Sequence, residues 1–239
     1  MSAPETAEAS ASRFGVVEPA ELPDDLRVRI EKIAEKSGFV PNVFRALGRR
    51  PAELRAFLDY HDALMTPAED GTSGLSAAER ELVVVATSGA NHCTYCIVAH
   101  GAILRVRSKD PELADQVAAN PWGAALDERQ RAIVDLALQI ATESATLREE
   151  DLDAARDAGL TDDEIWDVGA ITALFAMSNR LAHLTALRPN PEFTSWAASP
   201  VPRANPASRG STGACTGCSA HATRAPWTGT SGCARGAVR

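Results

Sequence analysis

The chain has 239 residues, with 24 Lys and Arg against 32 Asp and Glu, which gives a net charge of −8. Apolar residues make up 45% of the chain, enough for a buried core in one or two domains. No apolar run approaches the ~18 residues that a membrane-spanning helix needs. The acidic balance argues against a nucleic-acid partner, because phosphates repel a negatively charged surface. We therefore predict a protein with neither a nucleic-acid nor a membrane partner.

Charge and cysteines are unevenly distributed along the chain. Residues 193–239 contain five arginines and no Asp, Glu, Leu, Ile or Met, so the acidic excess lies in residues 1–192. The N-terminal residues include acids and no apolar block, so no secretory signal is visible. Five cysteines, an odd number without such a signal, are typical of reduced thiols and predict a cytoplasmic location.

Helical signals begin after residues 1–13, whose Ala, Ser and Glu composition predicts a disordered N-terminal tail. A first helix is expected to end at Gly38, since glycine is the usual residue just beyond a helix C-terminus. Pro41 opens a second apolar stretch. Pro51 is placed to begin a third helix, because proline suits the first helical position.

Three Ser/Thr-x-x-Glu patterns mark later helix starts at Ser76, Thr146 and Thr161. In such a capping box the hydroxyl and the carboxylate each bind an otherwise unpaired backbone amide. The segment after Thr161, which includes Trp166, is apolar over more than half its circumference and predicts a central buried helix. A further helix is predicted over residues 128–142.

The run Val83-Val84-Val85 is the one stretch that resembles a strand. A strand followed by Cys-x-x-Cys would indicate a thioredoxin-like site. The run lies, however, in a segment that opens with a capping box, and no other segment offers a partner strand. We therefore predict an all-α core domain over residues 14–192. Residues 193–239 form a low-complexity basic tail, predicted to be disordered because it has too little apolar area to bury.

Two cysteines follow a predicted helix break. Gly89 and Asn91 are stop and restart signals, which place Cys93 at or near the start of a new helix. Backbone amides at a helix start stabilise negative charge and so lower a thiol pKa. Cys93 lies about one turn before Cys96 and is placed to close a reversible disulfide with it. We expect a lowered pKa at Cys96, which would make it the attacking thiolate.

His100 and Glu81 extend this pair into a larger constellation. Cys96 and His100 are four residues apart and share a helix face, so His100 can take the Cys96 proton or stabilise its thiolate. Glu81 lies on the preceding helix and can orient His100, as a third group orients the base of a triad. The residues alone leave three readings open: redox chemistry, half of a zinc site, and inert packing.

Glu81, Cys93, Cys96 and His100 match the Glu-x11-Cys-x-x-Cys-x3-His pattern of alkylhydroperoxidase D-like proteins, within the carboxymuconolactone decarboxylase-like superfamily. The flanking sequence resembles the peroxidase-related branch of that superfamily from about Phe14 to Phe193. The stretches that carry this resemblance are GFVPNVFRAL, LSAAERELVVVATSGANHCTYCIVAHGAILR, LDERQRAIVDLALQIA and AITALFAMSNRLAHLTALRPNPEF.

The resemblance implies an all-helical bundle, assembled as a homo-oligomer (a trimer or hexamer), that reduces hydroperoxides without haem or another cofactor. Cys96 would attack the hydroperoxide and become a sulfenic acid. Cys93 would be the proton donor and resolving thiol, with His100 as base and Glu81 behind it in a proton relay. A lipoylated or thioredoxin-like dithiol protein would reduce the resulting disulfide. Better-studied members have a His just before the second cysteine, where this chain has Tyr95.

Two rival functions remain open. A decarboxylase of the carboxymuconolactone type shares the fold but does not require the cysteine pair. A non-catalytic redox-sensing oligomer would use the disulfide only to report oxidant exposure.

The tail holds a second set of metal-ligand side chains. Cys215, Cys218, His221 and Cys233 could make a Cys3His zinc site, but nothing around them predicts a folded site. The abrupt change in composition is also typical of a frame change or a fused sequence.

Overall fold

The computed structural model describes residues 11–66 and 73–197, and these residues form ten α-helices and no strand, which confirms the all-α prediction. In chain order the helices are α1 (Asp24–Ser37), α2 (Asn42–Leu47), α3 (Pro51–Met65), α4 (Ala77–Ala90), α5 (Thr94–Ser108), α6 (Leu113–Ala119), α7 (Glu128–Glu143), α8 (Glu149–Asp157), α9 (Asp162–Thr185) and α10 (Glu192–Ala197). Within these ranges no helix is both long enough and apolar enough to cross a bilayer.

The predicted helix boundaries of the N-terminal half are confirmed. Gly38 ends α1 in the left-handed region, with φ of 84°, and its amide donates to the Ala34 carbonyl. Pro41 directly precedes α2, and Pro51 is the first residue of α3. Each boundary follows from the restricted backbone of proline or the free backbone of glycine.

Two of the three predicted capping boxes are present. The Ser76 hydroxyl accepts the amide of Glu79, and the Thr161 hydroxyl accepts the amide of Glu164. In both boxes the glutamate returns a hydrogen bond to the amide of the hydroxyl residue. Sequence reasoning overlooked an equivalent start at α7, where the Asp127 side chain takes the hydroxyl's place.

The third predicted box, at Thr146, is wrong. Thr146 closes a short 3-10 turn, and its hydroxyl donates to the Glu143 carbonyl at 2.9 Å. Helix α8 begins two residues later than predicted, after Arg148, whose amide donates to the Asp151 carboxylate at 2.9 Å. The Thr146 hydroxyl is therefore bound within the preceding turn and does not cap α8.

Helix α4 lies at the centre of the bundle and packs against α5, α6, α7 and α9. Val83, Val84 and Val85 are each 0% exposed. A helix surrounded by apolar neighbours can bury three consecutive side chains, which explains a β-branched run without a strand. The helical prediction for this run is confirmed.

The predicted break between α4 and α5 is present, but Gly89 itself lies inside α4. The helix continues through it to Ala90, and Asn91 caps the C-terminus. A Cβ atom on Gly89 would lie 3.3 Å from both the Cα and the carbonyl oxygen of Ala118 in α6. The glycine therefore permits close approach of α4 and α6.

Helix α9 is buried on one side rather than all round. Val168, Ile171 and Phe175 are at most 1% exposed, whereas Trp166 is 75% exposed. The predicted helix after Thr161 is confirmed, but the prediction that it is centrally buried holds for one face only, and Trp166 is not part of the core.

The predicted boundary at residue 192 is too early, because residues 192–197 form α10. The Phe193 side chain is 4% exposed, and its ring meets those of Phe39 and Trp196 at centroid distances of 4.9 and 5.8 Å. Composition misled the prediction, since two aromatic side chains supply the apolar area that the small residues lack.

The structure also corrects the N-terminal boundary. The Arg13 amide donates to the Thr185 carbonyl at 2.6 Å, and Ser12 is buried. Residues 11–13 therefore pack against the end of α9. The predictions of disorder for residues 1–10 and 198–239 concern parts of the chain outside the described residues.

Candidate active site

The two cysteines lie where α4 turns into α5. Cys93 is the N-cap residue of α5, and Cys96 is in the first turn of that helix. The connection is short because His92 adopts φ of 55°, in the left-handed region, and the Cys93 amide then donates to the Ser88 carbonyl at 2.9 Å. Both thiols are free and buried, Cys93 at 0% and Cys96 at 2% exposure. The predicted position of Cys93 at a helix start is confirmed.

Glu81 and His100 meet across the α4–α5 interface. The Nδ1 atom of His100 lies 2.8 Å from Oε2 of Glu81, whose side chain is 3% exposed. Oε1 of Glu81 lies 3.4 Å from Nη1 of Arg107. A carboxylate at Nδ1 fixes the proton there, which leaves Nε2 of His100 as the nitrogen free for chemistry. Phe175 packs edge-on against the His100 ring, at a centroid distance of 4.7 Å.

The two sulfurs perturb each other in opposite directions. A hydrogen bond from the Cys96 thiol, helped by the Cys96 amide and the charge of His183, lowers the pKa of Cys93 to about 6 despite burial. The same interaction with Cys93, together with burial, raises the pKa of Cys96. The reduced pair therefore holds one proton on Cys96 and a thiolate on Cys93. The expectation of a lowered Cys96 pKa is wrong for this resting state, because Cys96 donates the hydrogen bond and Cys93 accepts it.

Sequence reasoning missed two residues of α9 that hold the sulfurs. Hydrogen bonds from Asn179 lower the pKa of both cysteines, and one from Ser178 lowers that of Cys96. Asn179 is 0% exposed, and its Nδ2 also lies 3.1 Å from Oγ of Ser88. Their sequence signal was two polar residues in an otherwise apolar helix, because buried polar side chains need hydrogen-bond partners.

A cavity of ≈250 Å3 opens beside Cys96. Cys96 and His100 both line it, so the structure brings the predicted attacking residue and the predicted base to one space. Most of the wall is apolar and comes from α1–α3, α5, α9 and α10. Among the aromatic wall residues are Phe44, Phe57, Phe175, Phe193 and Trp196.

Tyr95, between the two cysteines, has a structural role. Its hydroxyl accepts the Val43 amide at 3.2 Å and so ties α5 to α2. Burial raises the pKa of Tyr95, which therefore remains a neutral phenol.

The described residues contain no group of three or more His, Cys, Asp and Glu side chains arranged to hold a metal ion. The second ligand set predicted from the sequence (Cys215, Cys218, His221 and Cys233) lies outside the described residues.

Comparison with known proteins gives the family. The profile of the Carboxymuconolactone decarboxylase family matches residues 51–121, which include the whole Glu81 to His100 segment. A search of curated protein sequences finds no match. Among solved structures, the alkylhydroperoxidase AhpD core of an uncharacterized peroxidase-related protein from Ralstonia eutropha JMP134 is 51% identical. That match covers 80% of this chain and 98% of the other, with a TM-score of 0.76.

Two further structures extend the comparison. An uncharacterized peroxidase-related protein from Silicibacter sp. TM1040 is 38% identical, over 81% of this chain and 97% of its own, with a TM-score of 0.70. The debrominase Bmp8 shares the fold at 16% identity, over 81% and 98% of the two chains, with a TM-score of 0.63. High identity over nearly the full length of two peroxidase-related proteins, together with the helical bundle, shows that the chain belongs to the alkylhydroperoxidase D-like group of the carboxymuconolactone decarboxylase-like superfamily.

Proposed function

We propose that this protein is a haem-free, thiol-dependent peroxidase that reduces hydroperoxides at Cys96. The observation that carries the proposal is the shared cavity: Cys96 and His100 line it, while Cys93 lies fully buried and hydrogen-bonded to Cys96. A substrate in the cavity would therefore meet the Cys96 sulfur. The family and its peroxidase-related members support this assignment.

The first step needs a thiolate at Cys96, where the resting pair keeps its proton. The hydrogen bond between the sulfurs offers a short path, along which Cys93 accepts that proton. His100 is a second base one helical turn away, and Glu81 orients it. Each transfer places negative charge on Cys96, which lines the cavity. Hydrogen bonds from Ser178 and Asn179 stabilise that charge.

Attack by the Cys96 thiolate on the terminal peroxide oxygen breaks the O–O bond. The sulfur gains the hydroxyl and becomes a sulfenic acid, and the other oxygen leaves as an alkoxide that takes a proton to become an alcohol. The Cys93 sulfur then attacks Cys96, and hydroxide leaves and combines with the Cys93 proton as water. A lipoylated or thioredoxin-like dithiol protein returns the disulfide to two thiols by exchange, and is itself oxidised.

We further propose that the protein works in the cytoplasm as a homo-oligomer, a trimer or hexamer. Three large apolar side chains of α9, Trp166, Met177 and Leu184, are 75%, 45% and 55% exposed. Their position on one helix supports burial against a second copy of the chain. Light scattering on the purified protein measures the assembly, and a monomer at all concentrations would contradict it.

A carboxymuconolactone-type decarboxylase is the second candidate, because the matching family profile carries that name. Decarboxylation does not use a dithiol, so such an enzyme would keep its activity when both cysteines are replaced. A redox-sensing oligomer is the third candidate. It would form the Cys93–Cys96 disulfide once per chain and would show no turnover.

The test is consumption of cumene hydroperoxide with a dithiol reductant, in wild type, Cys96→Ser and Cys93→Ser. We expect turnover in wild type, none in Cys96→Ser, and in Cys93→Ser a single oxidation that stops at the sulfenic acid. Equal, slow consumption by wild type and Cys96→Ser would reject the peroxidase. Mass spectrometry after peroxide treatment should locate the Cys93–Cys96 link.

A further inference from the structure

A second histidine lines the cavity and has no task in the mechanism above. His61, on α3, is among the wall residues together with Cys96 and His100. Its ring lies 5.9 Å from the Phe57 ring and 6.3 Å from the Phe175 ring, between centroids. Phe175 also contacts His100, so two imidazoles flank one phenyl ring of the cavity wall.

Asp62 binds one of the two ring nitrogens of His61. The Nδ1 atom of His61 lies 3.3 Å from Oδ1 of Asp62, and Arg29 on α1 binds Oδ2 of the same carboxylate at 2.8 Å. The hydrogen bond with His61, and the Arg29 guanidinium, lower the pKa of Asp62 to about 2, so it stays ionised. An ionised carboxylate at Nδ1 keeps a proton on that atom and leaves Nε2 as the second protonation site.

Other titratable side chains line the cavity together with His61. Cys96, His100 and Tyr95 of α5 line the same cavity as His61. Tyr95 holds its proton, and His100 has Nδ1 bound to Glu81. The His61 side chain is 27% exposed, so it can exchange protons with water between turnovers.

Reduction of a hydroperoxide requires two proton transfers of opposite direction. One removes the proton from Cys96, and Cys93 and His100 are placed for it. The other supplies a proton to the departing alkoxide, a strong base and therefore a poor leaving group. Cys93 and His100 serve the first transfer, because both lie near Cys96. His61 lines the cavity from a different helix, α3, and is therefore the candidate for the second transfer.

We propose that His61 is the acid that protonates the oxygen departing from the hydroperoxide when Cys96 attacks, an assignment that rests on the peroxidase function proposed above. As the O–O bond breaks, the Cys96 sulfur takes the hydroxyl. The imidazolium of His61 gives a proton to the alkoxide, which leaves as a neutral alcohol. The neutral imidazole then regains a proton from water. Asp62 is a positioning residue, because it acts only through His61.

The test uses peroxides that differ in leaving group. Single-turnover oxidation of Cys96 is measured with cumene hydroperoxide, which releases an alkoxide, and with peracetic acid, which releases a carboxylate that needs no acid. The variant His61→Asn keeps a polar side chain that cannot transfer protons. We expect about a 100-fold loss with cumene hydroperoxide, within the usual range for a general acid, and little change with peracetic acid.

Ile103→Val is the matched control, because it alters the same wall without removing a titratable group or a ring that packs against His61. It should affect both oxidants alike. Asp62→Asn should reproduce the selective loss of His61→Asn in weaker form, and does not alter the cavity wall's ring packing. An equal loss with both oxidants in His61→Asn, or no loss with either, would overturn the assignment. If wild type oxidises Cys96 with neither peroxide, the peroxidase function itself fails, a result distinct from unselective loss in the variant.

Discussion

Cys93 and Cys96 share one proton, and a single hydrogen bond between their sulfurs lowers the pKa of Cys93 and raises that of Cys96. The negative charge therefore rests on Cys93, which is 0% exposed, while Cys96, which lines the cavity, keeps the proton. Such an arrangement keeps the nucleophilic thiolate of the reduced protein away from solvent until the proton moves.

The shared proton predicts the pH dependence of thiol reactivity. The pair should release its first proton near pH 6, because Cys93 has a pKa of about 6. The ultraviolet absorbance of the thiolate should therefore rise through a midpoint near pH 6, whereas alkylation of Cys96 by iodoacetamide should remain slow there. In Cys96→Ala the hydrogen-bond donor is absent, and the midpoint should move towards the usual thiol value. An unchanged midpoint in that variant would contradict the shared proton.

The same pKa predicts a pH-dependent contribution to folding. The folded value of about 6 lies below the usual 9.0, so the Cys93 thiolate stabilises the folded state fully only above pH 9. This contribution falls as the pH decreases and is lost below about pH 6. The difference in free energy of unfolding between wild type and Cys93→Ser should therefore grow from pH 6 to pH 9. Urea denaturation at several pH values measures it, and a constant difference would refute the prediction.

Glu81 should act through His100 and not independently. We expect Glu81→Gln to lower the peroxidase rate about 10-fold to 100-fold, because the amide no longer stabilises a charged imidazole. His100→Asn should cost at least as much. The double variant should be no slower than His100→Asn alone, since the relay is already broken. Additive losses in steady-state kinetics would show that Glu81 has a separate role.

Asn179 should matter for both stability and thiol chemistry. Its side chain binds Asn91, Ser88 and the two sulfurs, so Asn179→Ala leaves buried partners unpaired. We expect a loss of about 1–3 kcal/mol in the free energy of unfolding, and a higher pKa at Cys93. Ser178→Ala serves as the control, because it removes a hydrogen bond to Cys96 alone. Urea denaturation and the pH dependence of the ultraviolet thiolate absorbance give the two readouts.

Two glycines of the central helices offer a matched pair of stability predictions. In Gly89→Ala the new Cβ would lie 3.3 Å from backbone atoms of Ala118, so α4 and α6 must separate. In Gly101→Ala the nearest atom is the Ala114 Cβ, at an ordinary 3.6 Å. Each change gains helix propensity of about 1 kcal/mol, but overpacking costs about 1–3 kcal/mol at Gly89. Thermal denaturation should show Gly101→Ala stabilised and Gly89→Ala destabilised, and equal shifts would contradict this reading.

Phe193 should contribute to stability although it lies in the segment of low-complexity composition. It is 4% exposed and joins Phe39 and Trp196 in an aromatic cluster. We expect Phe193→Ala to cost about 3 kcal/mol, as for other buried phenylalanines. Thr194→Ala, on the same helix, is the control and should have little effect. Loss of Trp196 fluorescence polarisation would report release of α10, and a fully stable Phe193→Ala protein would contradict its role.

Much of this fold is predictable from local sequence because its signals act over one helical turn. Gly38, Pro51, Ser76 and Thr161 each determine the helix boundary beside them. Thr146 fails for the same local reason, since the preceding turn competes successfully for its hydroxyl.

Only part of the candidate site could be predicted from the sequence. Glu81 and His100 could be paired from spacing, because they lie on helices joined by a short connection. His61 and Asn179 could not, since their proximity to the cysteines depends on the packing of α3 and α9 against α5. The direction of the two thiol pKa shifts was likewise inaccessible, because it depends on which sulfur donates to the other.

Helix α10 lies far along the chain from the cysteine pair, yet it forms part of the same cavity. The two thiols and the Glu81–His100 pair belong to α4 and α5, whereas Phe193 and Trp196 bring a distant part of the chain into the cavity wall. The cysteine pair and this part of the cavity wall are thus encoded in separate stretches of sequence. Changes near residue 193 can retune which molecules fit while the reacting atoms stay where they are.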